Sequence, residues 1–317
     1  MTMTRAKTDP SPAAAPVPAV TTPAVTVPGA TLAGATLADH QARILRALVF
    51  IDDHRGEELT LEQLARVACF SPYHFHRVFA AHVGESVGAY VRRVRLDAAA
   101  TSLSFEDTPI TRIAMDAGYD TPGAFTRAFS QKFNLSPSAF RKRMRARHRT
   151  SPMSLKTPNL ENIMQPELRT VPDRPVVFVR RTGDYNQSSG AAWSAICGWA
   201  FPRGLVGPDS RFIGVSHDDP RITTSEQLRY DACITVDRPV TPEGEVGFRV
   251  LAGGRTAVFL HQGPYAELHR TYEAIYGAWL PASGEELADA PCYEIYLNTP
   301  DNTAPADLRT EICIPLK

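Results

Sequence analysis

Residues 110–143 read ITRIAMDAGYDTPGAFTRAFSQKFNLSPSAFRKR, and residues 61–93 read LEQLARVACFSPYHFHRVFAAHVGESVGAYVRR. The second stretch is an earlier copy of the first. Leu61, Leu64, Ala65 and Ala68 match Ile110, Ile113, Ala114 and Ala117 at an offset of 49. After one inserted residue, Phe75, Arg77, Phe79 and Tyr90 match Phe125, Arg127, Phe129 and Phe140 at an offset of 50. A fixed offset over so many positions is a duplication.

Each copy spells helix, tight turn, helix. Thr60 with Gln63 reads as a capping box, and Thr108-Pro109 reads as an N-cap followed by a first-turn proline. Ser71-Pro72, Thr121-Pro122 and Ser136-Pro137 repeat that start signal. Cys69-Phe70 and Gly118-Tyr119 fall where one short helix must turn sharply onto the next, which is helix-turn-helix logic. The phenylalanines recur at helical spacing and are expected in the core.

Working outward, residues 1–36 are rich in Ala, Pro, Thr and Val, with prolines that would break a signal peptide's apolar helix, and are expected to form a disordered tail. The basic stretch RKRMRARHRT closes the helical part at residue 150, and residues 151–162 read as a linker. The organisation expected is a tail over 1–36, a tandem helix-turn-helix domain over 37–150, the linker, and a second domain over 163–317. A chain of 317 residues exceeds a usual single core, in agreement. No apolar run reaches the roughly 20 residues that cross a bilayer, so no membrane partner is expected.

The zero net charge averages two unlike parts. Residues 40–150 carry 17 Lys and Arg against 11 Asp and Glu, whereas residues 151–317 carry 15 against 21. A basic segment suits a polyanion. The five cysteines, at 69, 197, 233, 292 and 313, have no C-x-x-C spacing and no neighbouring histidine at ligand distance in sequence. Neither zinc nor a disulfide framework is expected; they read as small buried hydrophobes of a reducing cytoplasm. His74, His76 and His82 lack a cysteine or carboxylate to complete a tetrahedral set, so no metal and no cofactor is predicted.

The acidic part is duplicated as well. LRYDACITV at Leu228 and LRTEICIPL at Leu308 lie 80 residues apart, and the same offset relates Tyr185 to Tyr265 and Trp199 to Trp279. Each unit reads strand, Gly-x-Tyr turn, amphipathic helix, strand, strand, with helices near 188–199 and 266–279. Two such β-α-β-β units predict one antiparallel-rich sheet with both helices on a single face and a ligand cleft between the units. Within the strand APCYEIYLN at 290–298, alternation puts Glu294 on the same face as Cys292 and Tyr296. A carboxylate there sits either at a solvated edge or in a pocket awaiting a positive or hydrogen-bonding partner.

The paired helical motifs resemble the DNA-binding unit of the AraC/XylS transcription regulators, over about residues 40–147. That resemblance implies two recognition helices in successive major grooves of double-stranded promoter DNA, joined by a long helix near 87–103. It places Tyr73, His76 and Arg77 of the first copy, and Gly123, Thr126 and Arg127 of the second, at the DNA. Arg77 and Arg127 can read guanine or hold phosphate. Because the second copy presents Pro122, Gly123 and Ala124, it is expected to grip phosphate more than it discriminates bases.

AVFLHQGPY, LRYDACITV, PCYEIYLN and TEICIPL resemble the GyrI-like effector-binding domains, of the SHS2-type fold, over about 163–317, in a Rob-type arrangement. This implies a small-molecule cleft whose acid is Glu294, with Trp193, Trp199, Tyr265, Trp279 and Tyr296 either lining it or packing the core. The expected class is therefore a multidomain protein, an all-α tandem helix-turn-helix domain followed by an α+β domain. The expected function is a cytoplasmic transcription regulator that senses an amphipathic small-molecule effector, cationic ligands included, and works with RNA polymerase. The competing expectations are a hydrolase of reactive toxic molecules with Glu294 as general base, and a gyrase-inhibitor-like protein-interaction module.

Overall fold

The computed structural model describes residues 32–150 and 165–317. Residues 1–31 of the expected tail and the whole expected linker lie outside them, while residues 32–36 already belong to a helix. The first domain has seven helices among its described residues: α1 Leu32–Asp53, α2 Leu61–Val67, α3 Pro72–Val83, α4 Val87–Phe105, α5 Ile110–Asp116, α6 Pro122–Phe133 and α7 Pro137–Thr150.

Local chemistry sets these boundaries. Thr60, Ser86, Thr121 and Ser136 each accept a backbone N–H three residues on, relieving one unpaired donor at a helix start. Ser71 precedes α3 without such a bond. Thr108 does not cap α5 as predicted; the N-cap is Pro109, and the Thr108 hydroxyl donates to Glu106 instead. The two turns are alike in backbone, with Cys69 at φ 55° and Gly118 at φ 70°. Cys69 is exposed rather than buried, which corrects the reading of all five cysteines as interior.

The duplication produces two small cores. Ile44, Ile51, Phe75, Phe79 and Tyr90 fill the first; Leu96, Leu103, Phe125, Phe129 and Phe140 fill the second. Each buried phenylalanine contributes about 1.5–3 kcal/mol. Helix α4 belongs to both, with Val87, Tyr90 and Val94 in one core and Leu96, Ala99, Ala100 and Leu103 in the other. It is the bar that the two repeats share.

The second domain contains β1 Glu167–Val171, β2 Arg174–Thr182, α8 Tyr185–Ala200, β3 Phe212–Ser216, β4 Arg229–Thr235, β5 Val246–Leu251, β6 Gly254–Gln262, α9 Leu268–Ala274, β7 Tyr293–Tyr296 and β8 Arg309–Pro315. After α9 the helix continues through a π turn, Ile275–Trp279, into a last α turn, Leu280–Ser283. The eight strands form one curled antiparallel sheet in the order β1-β6-β8-β7-β3-β4-β2-β5.

Each repeat has one strand more than predicted, and it is exchanged. β1 precedes the first unit but pairs with β6 of the second, while β5 precedes the second and pairs with β2 of the first. The registers agree: Glu167 faces Val258 and Gly247 faces Phe178, both pairs related by the 80-residue offset. This exchange ties the two units into one body.

Helix α8 and the α9 segment cover one face of the sheet. On the other face lie Phe178, Ile213 and Ile295, against which Leu45 and Val49 of α1 pack. Beside this apolar contact, Asp52 of α1 accepts from Arg180 and from Arg229, each at 2.5 Å. Arg180 also pairs with Asp231, and Arg229 with Asp218. Burial alone would raise the Asp52 carboxyl, but Arg229 and Arg180 outweigh it and hold the group well below the usual carboxylate range.

Candidate functional site: a DNA-reading face and an aromatic cavity

Helices α3 and α6 are the second helices of the two helix-turn-helix units. Phe75, Phe79, Phe125 and Phe129 point inward and are fully buried, so the opposite faces are free. On α3 that face presents Tyr73, at 83% exposure, with His76 and Arg77 also exposed. On α6 Gly123 and Arg127 are exposed and Thr126 is half-buried. Neither Arg77 nor Arg127 has an ion-pair partner among the described residues, whereas Arg93, Lys132 and Arg145 are paired with Glu85, Asp97 and Asp107. His76 and His82 each direct Nδ1 to a carbonyl of their own helix, at Pro72 and Val78.

The second site is a cavity of about 1140 Å³ on the helix-bearing face of the sheet. Strand alternation aims Glu294 into it from β7, and the carboxylate is 7% exposed. Tyr296 donates its hydroxyl to one carboxylate oxygen at 2.6 Å, and Tyr272 donates to the other at 3.0 Å. The Tyr230 hydroxyl lies 3.1 Å from that of Tyr296 and accepts from the Trp193 indole N–H at 3.0 Å. Since Tyr296 spends its proton on Glu294, Tyr230 donates to Tyr296. Protons thus point one way along Trp193, Tyr230, Tyr296 and Glu294.

No Lys, Arg or His among the described residues pairs with Glu294. Burial therefore dominates and pushes its carboxyl above the usual range, with the Tyr296 and Tyr272 hydrogen bonds opposing. The rings of Tyr265 and Trp193 stand edge-on to Tyr296, at centroid distances of 5.2 and 5.7 Å. The first domain closes the cavity with residues of α4 and α5, among them Phe105 and Met115.

Comparison with known proteins matches residues 164–317 to the GyrI-like small molecule binding domain and residues 64–143 to a helix-turn-helix domain. The Right origin-binding protein of Escherichia coli (strain K12) is 26% identical over 299 residues, covering 87% of this chain and 99% of that protein. The Probable transcriptional regulator YgiV of Escherichia coli (strain K12) is 37% identical over 109 residues, 34% of this chain and 68% of that protein. The chain belongs to the AraC-type transcription regulators with a C-terminal GyrI-like domain. It is a DNA-binding regulator with a small-molecule-binding domain. Among solved structures, the EcmrR C-terminal domain is 20% identical at a TM-score of 0.41, covering 49% of this chain and 98% of that one.

In this GyrI-like domain the cavity brings together Glu294, Tyr296, Trp193 and Tyr265 of the predicted ligand residues. Trp199 and Trp279 do not line it. Six residues beyond Trp193, Trp199 is turned about 240° around α8 and donates to Glu243, with Arg203 over its ring at 4.5 Å. Trp279, the counterpart of Trp199 at the 80-residue offset, likewise turns away from the cavity. Its ring packs edge-on against Phe259 at 4.9 Å in the core.

Sequence reasoning missed Tyr230, Tyr272, Tyr276 and Phe105 at this site. Tyr272 and Tyr276 had a readable signal, an i, i+4 pair of amphipathic rings on a helix already assigned to the cleft. No helix among the described residues is long and apolar enough to cross a membrane.

Proposed function

We propose that the effector is an amphipathic aromatic cation held over Glu294, and that its binding controls how the tandem helix-turn-helix domain acts on promoter DNA and RNA polymerase in the cytoplasm. The observation that carries this reading is a buried carboxylate with hydroxyl partners only, inside an aromatic cavity of about 1140 Å³. In such surroundings a cation gains from a poorly screened charge and from ring faces, each worth ~0.5–2 kcal/mol. Hydrolysis with Glu294 as general base is the second reading, since each carboxylate oxygen keeps a lone pair for water beside the tyrosine hydroxyl it accepts.

The test is a fluorescence titration of the full chain with rhodamine 6G and with a neutral dye of the same ring system. Glu294→Gln keeps the shape and removes the charge, so it weakens the cation by about 1–3 kcal/mol and leaves the neutral dye nearly unchanged. Equal loss for both dyes, or no loss for either, overturns the reading.

A further inference from the structure

The cavity is bounded by the DNA-binding domain as well as by the sheet, and a continuous run of contacts leads from the carboxylate to α4. Tyr272 donates to Glu294 at 3.0 Å. Its ring is stacked on Tyr276, with centroids 6.3 Å apart and planes within 8°. Tyr276 in turn packs on Phe105 at 4.8 Å. Phe105 is the last residue of α4, and the guanidinium of Arg221, from the loop after β3, lies over its ring at 5.5 Å.

Two further observations make this contact directional. The first helical repeat is fixed to the sheet through α1, by Leu45 and Val49 and by the buried Asp52 pairs with Arg180 and Arg229. The second repeat meets the effector domain at the cavity rim, where Ile222, next to Arg221, packs against its core. Motion at the rim thus displaces one repeat relative to a partner that is held still. The helix bearing Tyr272 and Tyr276 also differs from its counterpart. Residues 275–279 form a π turn, whereas α8 is α-helical from Tyr185 to Ala200. A π turn carries one residue outside the α ladder, and such turns are frequent at functional sites.

We propose that effector occupancy is transmitted from Glu294 through Tyr272, Tyr276 and Phe105 to the C-terminal end of α4, changing the placement of the second recognition helix relative to the first. The proposal rests on the reading of Glu294 as the effector's anchor. A ligand seated over Glu294 competes with the Tyr272 hydroxyl for the carboxylate. Tyr272 then turns away, the π turn absorbs the shift, and the ring stack carries it to Phe105. Because Leu96, Ala99, Ala100 and Leu103, in the C-terminal half of α4, pack in the second core, movement at that end is passed to α5–α7.

The experiment uses the full chain, rhodamine 6G and a DNA duplex that the full chain itself enriches from a random library. DNA affinity with and without saturating dye gives a coupling ratio, expected to be at least about fivefold for the unaltered chain. Phe105→Ala, and independently Tyr276→Leu, bring the ratio to near one when each variant is measured at a dye concentration that saturates it. Phe105→Tyr retains the ring and the coupling. If Phe105→Ala fails to fold in a thermal melt, Tyr276→Leu decides the matter.

An unchanged ratio in the folded variants overturns the relay and leaves the anchor reading intact. A ratio of one in the unaltered chain with dye bound does the same. Dye binding that ignores Glu294→Gln, seen without any DNA, removes the anchor and with it the start of the relay.

Discussion

Gly214 of β3 and Glu294 of β7 face each other across an antiparallel pair, and they are 80 residues apart, so each is the other's counterpart in the duplicated unit. The pseudo-two-fold axis passes between them. Two acids at such facing positions would hold their Cβ atoms within about 5.5 Å, with like charges opposed. Glycine on one side leaves a single carboxylate at the axis and clears the space into which two hydroxyls converge. A Cβ on Gly214 would come within 2.5 Å of the Tyr230 hydroxyl and 2.6 Å of the Tyr296 hydroxyl.

Gly214→Ala therefore strikes the site through its tyrosines. Both rings are held by hydrogen bonds to Trp193 and Glu294, so they cannot swing away without breaking them. Overpacking of this kind costs about 1–3 kcal/mol. Dye affinity should fall by more than the melting midpoint suggests, since the displaced groups are those around the carboxylate. Affinity equal to that of the unaltered chain would show that the hydroxyl chain does not shape the site.

The empty site should cost stability at neutral pH. Glu294 is held above its ordinary value of 4.5 because burial disfavours the charge. A carboxyl raised in the folded state favours folding at pH below its unfolded value, and that contribution is lost as pH rises through the folded value. Glu294→Gln should accordingly melt higher than the unaltered chain at pH 7.5, with the gap closing toward pH 4. Paired thermal melts at the two pH values check this; a variant that melts lower at pH 7.5 would mean that its hydrogen bonds outweigh desolvation.

Cys69 occupies, at φ 55°, the turn position that Gly118 fills at φ 70° in the other repeat. A side chain in the left-handed region costs roughly 1–2 kcal/mol, and the Cys69 side chain is exposed, so its removal sacrifices little packing. Cys69→Gly should stabilise the first repeat by about 1 kcal/mol. Chemical denaturation of the full chain measures it. A loss of stability would indicate that the thiol contributes packing beyond its exposure.

The duplications made much of this architecture readable. Two copies of one turn, each with Ser-Pro or Thr-Pro starts, located α2 through α7, and α4 was expected at 87–103 and found at Val87–Phe105. Alternation puts Glu294 on the face of Cys292 and Tyr296 but leaves solvated edge and pocket both open, and it is the family resemblance that points to the cleft. What escaped was non-local. The strand ELRTV is short and mostly exposed, and its partner β6 lies in the other unit, so nothing in its own residues announces the exchange. Trp199 and Trp279 are candidates for cleft or core as aromatic residues of this domain, and both turn away from the cavity. Asp52 reads as an ordinary acid near a helix end, while its partners stand 128 and 177 residues further along.

Asp52 gives a separate prediction for the joint between the domains. Removing it leaves the buried Arg180 and Arg229 with one carboxylate fewer, and breaking such a pair typically costs about 3–5 kcal/mol. Asp52→Ala should detach α1 from the sheet, seen as faster proteolysis within the chain and a lower unfolding midpoint. The pH dependence has the opposite sign to that of Glu294. Asp52 and Asp231 are held below their ordinary 3.8, so their contribution is full above about pH 4 and is lost as pH falls through the depressed values. His217 sits on Arg180 and Asp231 and burial holds it below its ordinary 6.5, so it adds a loss of its own as pH falls below that value. A joint that still loosens between pH 7 and pH 5 in the His217→Gln variant would contradict the assignment to Asp52 and Asp231.

The two recognition helices should divide the work of binding DNA. Arg77 extends from α3 with Tyr73 and His76 beside it, all exposed, so its guanidinium can reach a guanine edge with neighbours that also read or position. Arg127 extends from α6 over Gly123, which offers no side chain, and the guanidinium lies 3.8 Å from where a Cβ on that glycine would be. Loss of a bidentate base contact costs about 1–3 kcal/mol at one position of the site, whereas loss of a phosphate contact weakens every sequence alike and lowers the salt slope by about 1. Arg77→Ala should thus change which bases are tolerated in one half of the selected duplex. Arg127→Ala should leave base preference as it was and flatten the dependence of affinity on salt. Library selection repeated with each variant, together with titrations at several salt concentrations, measures both quantities. Loss of discrimination in both variants to the same degree would show that α6 reads bases as well as α3 does, and that the bare glycine face is no handicap to it.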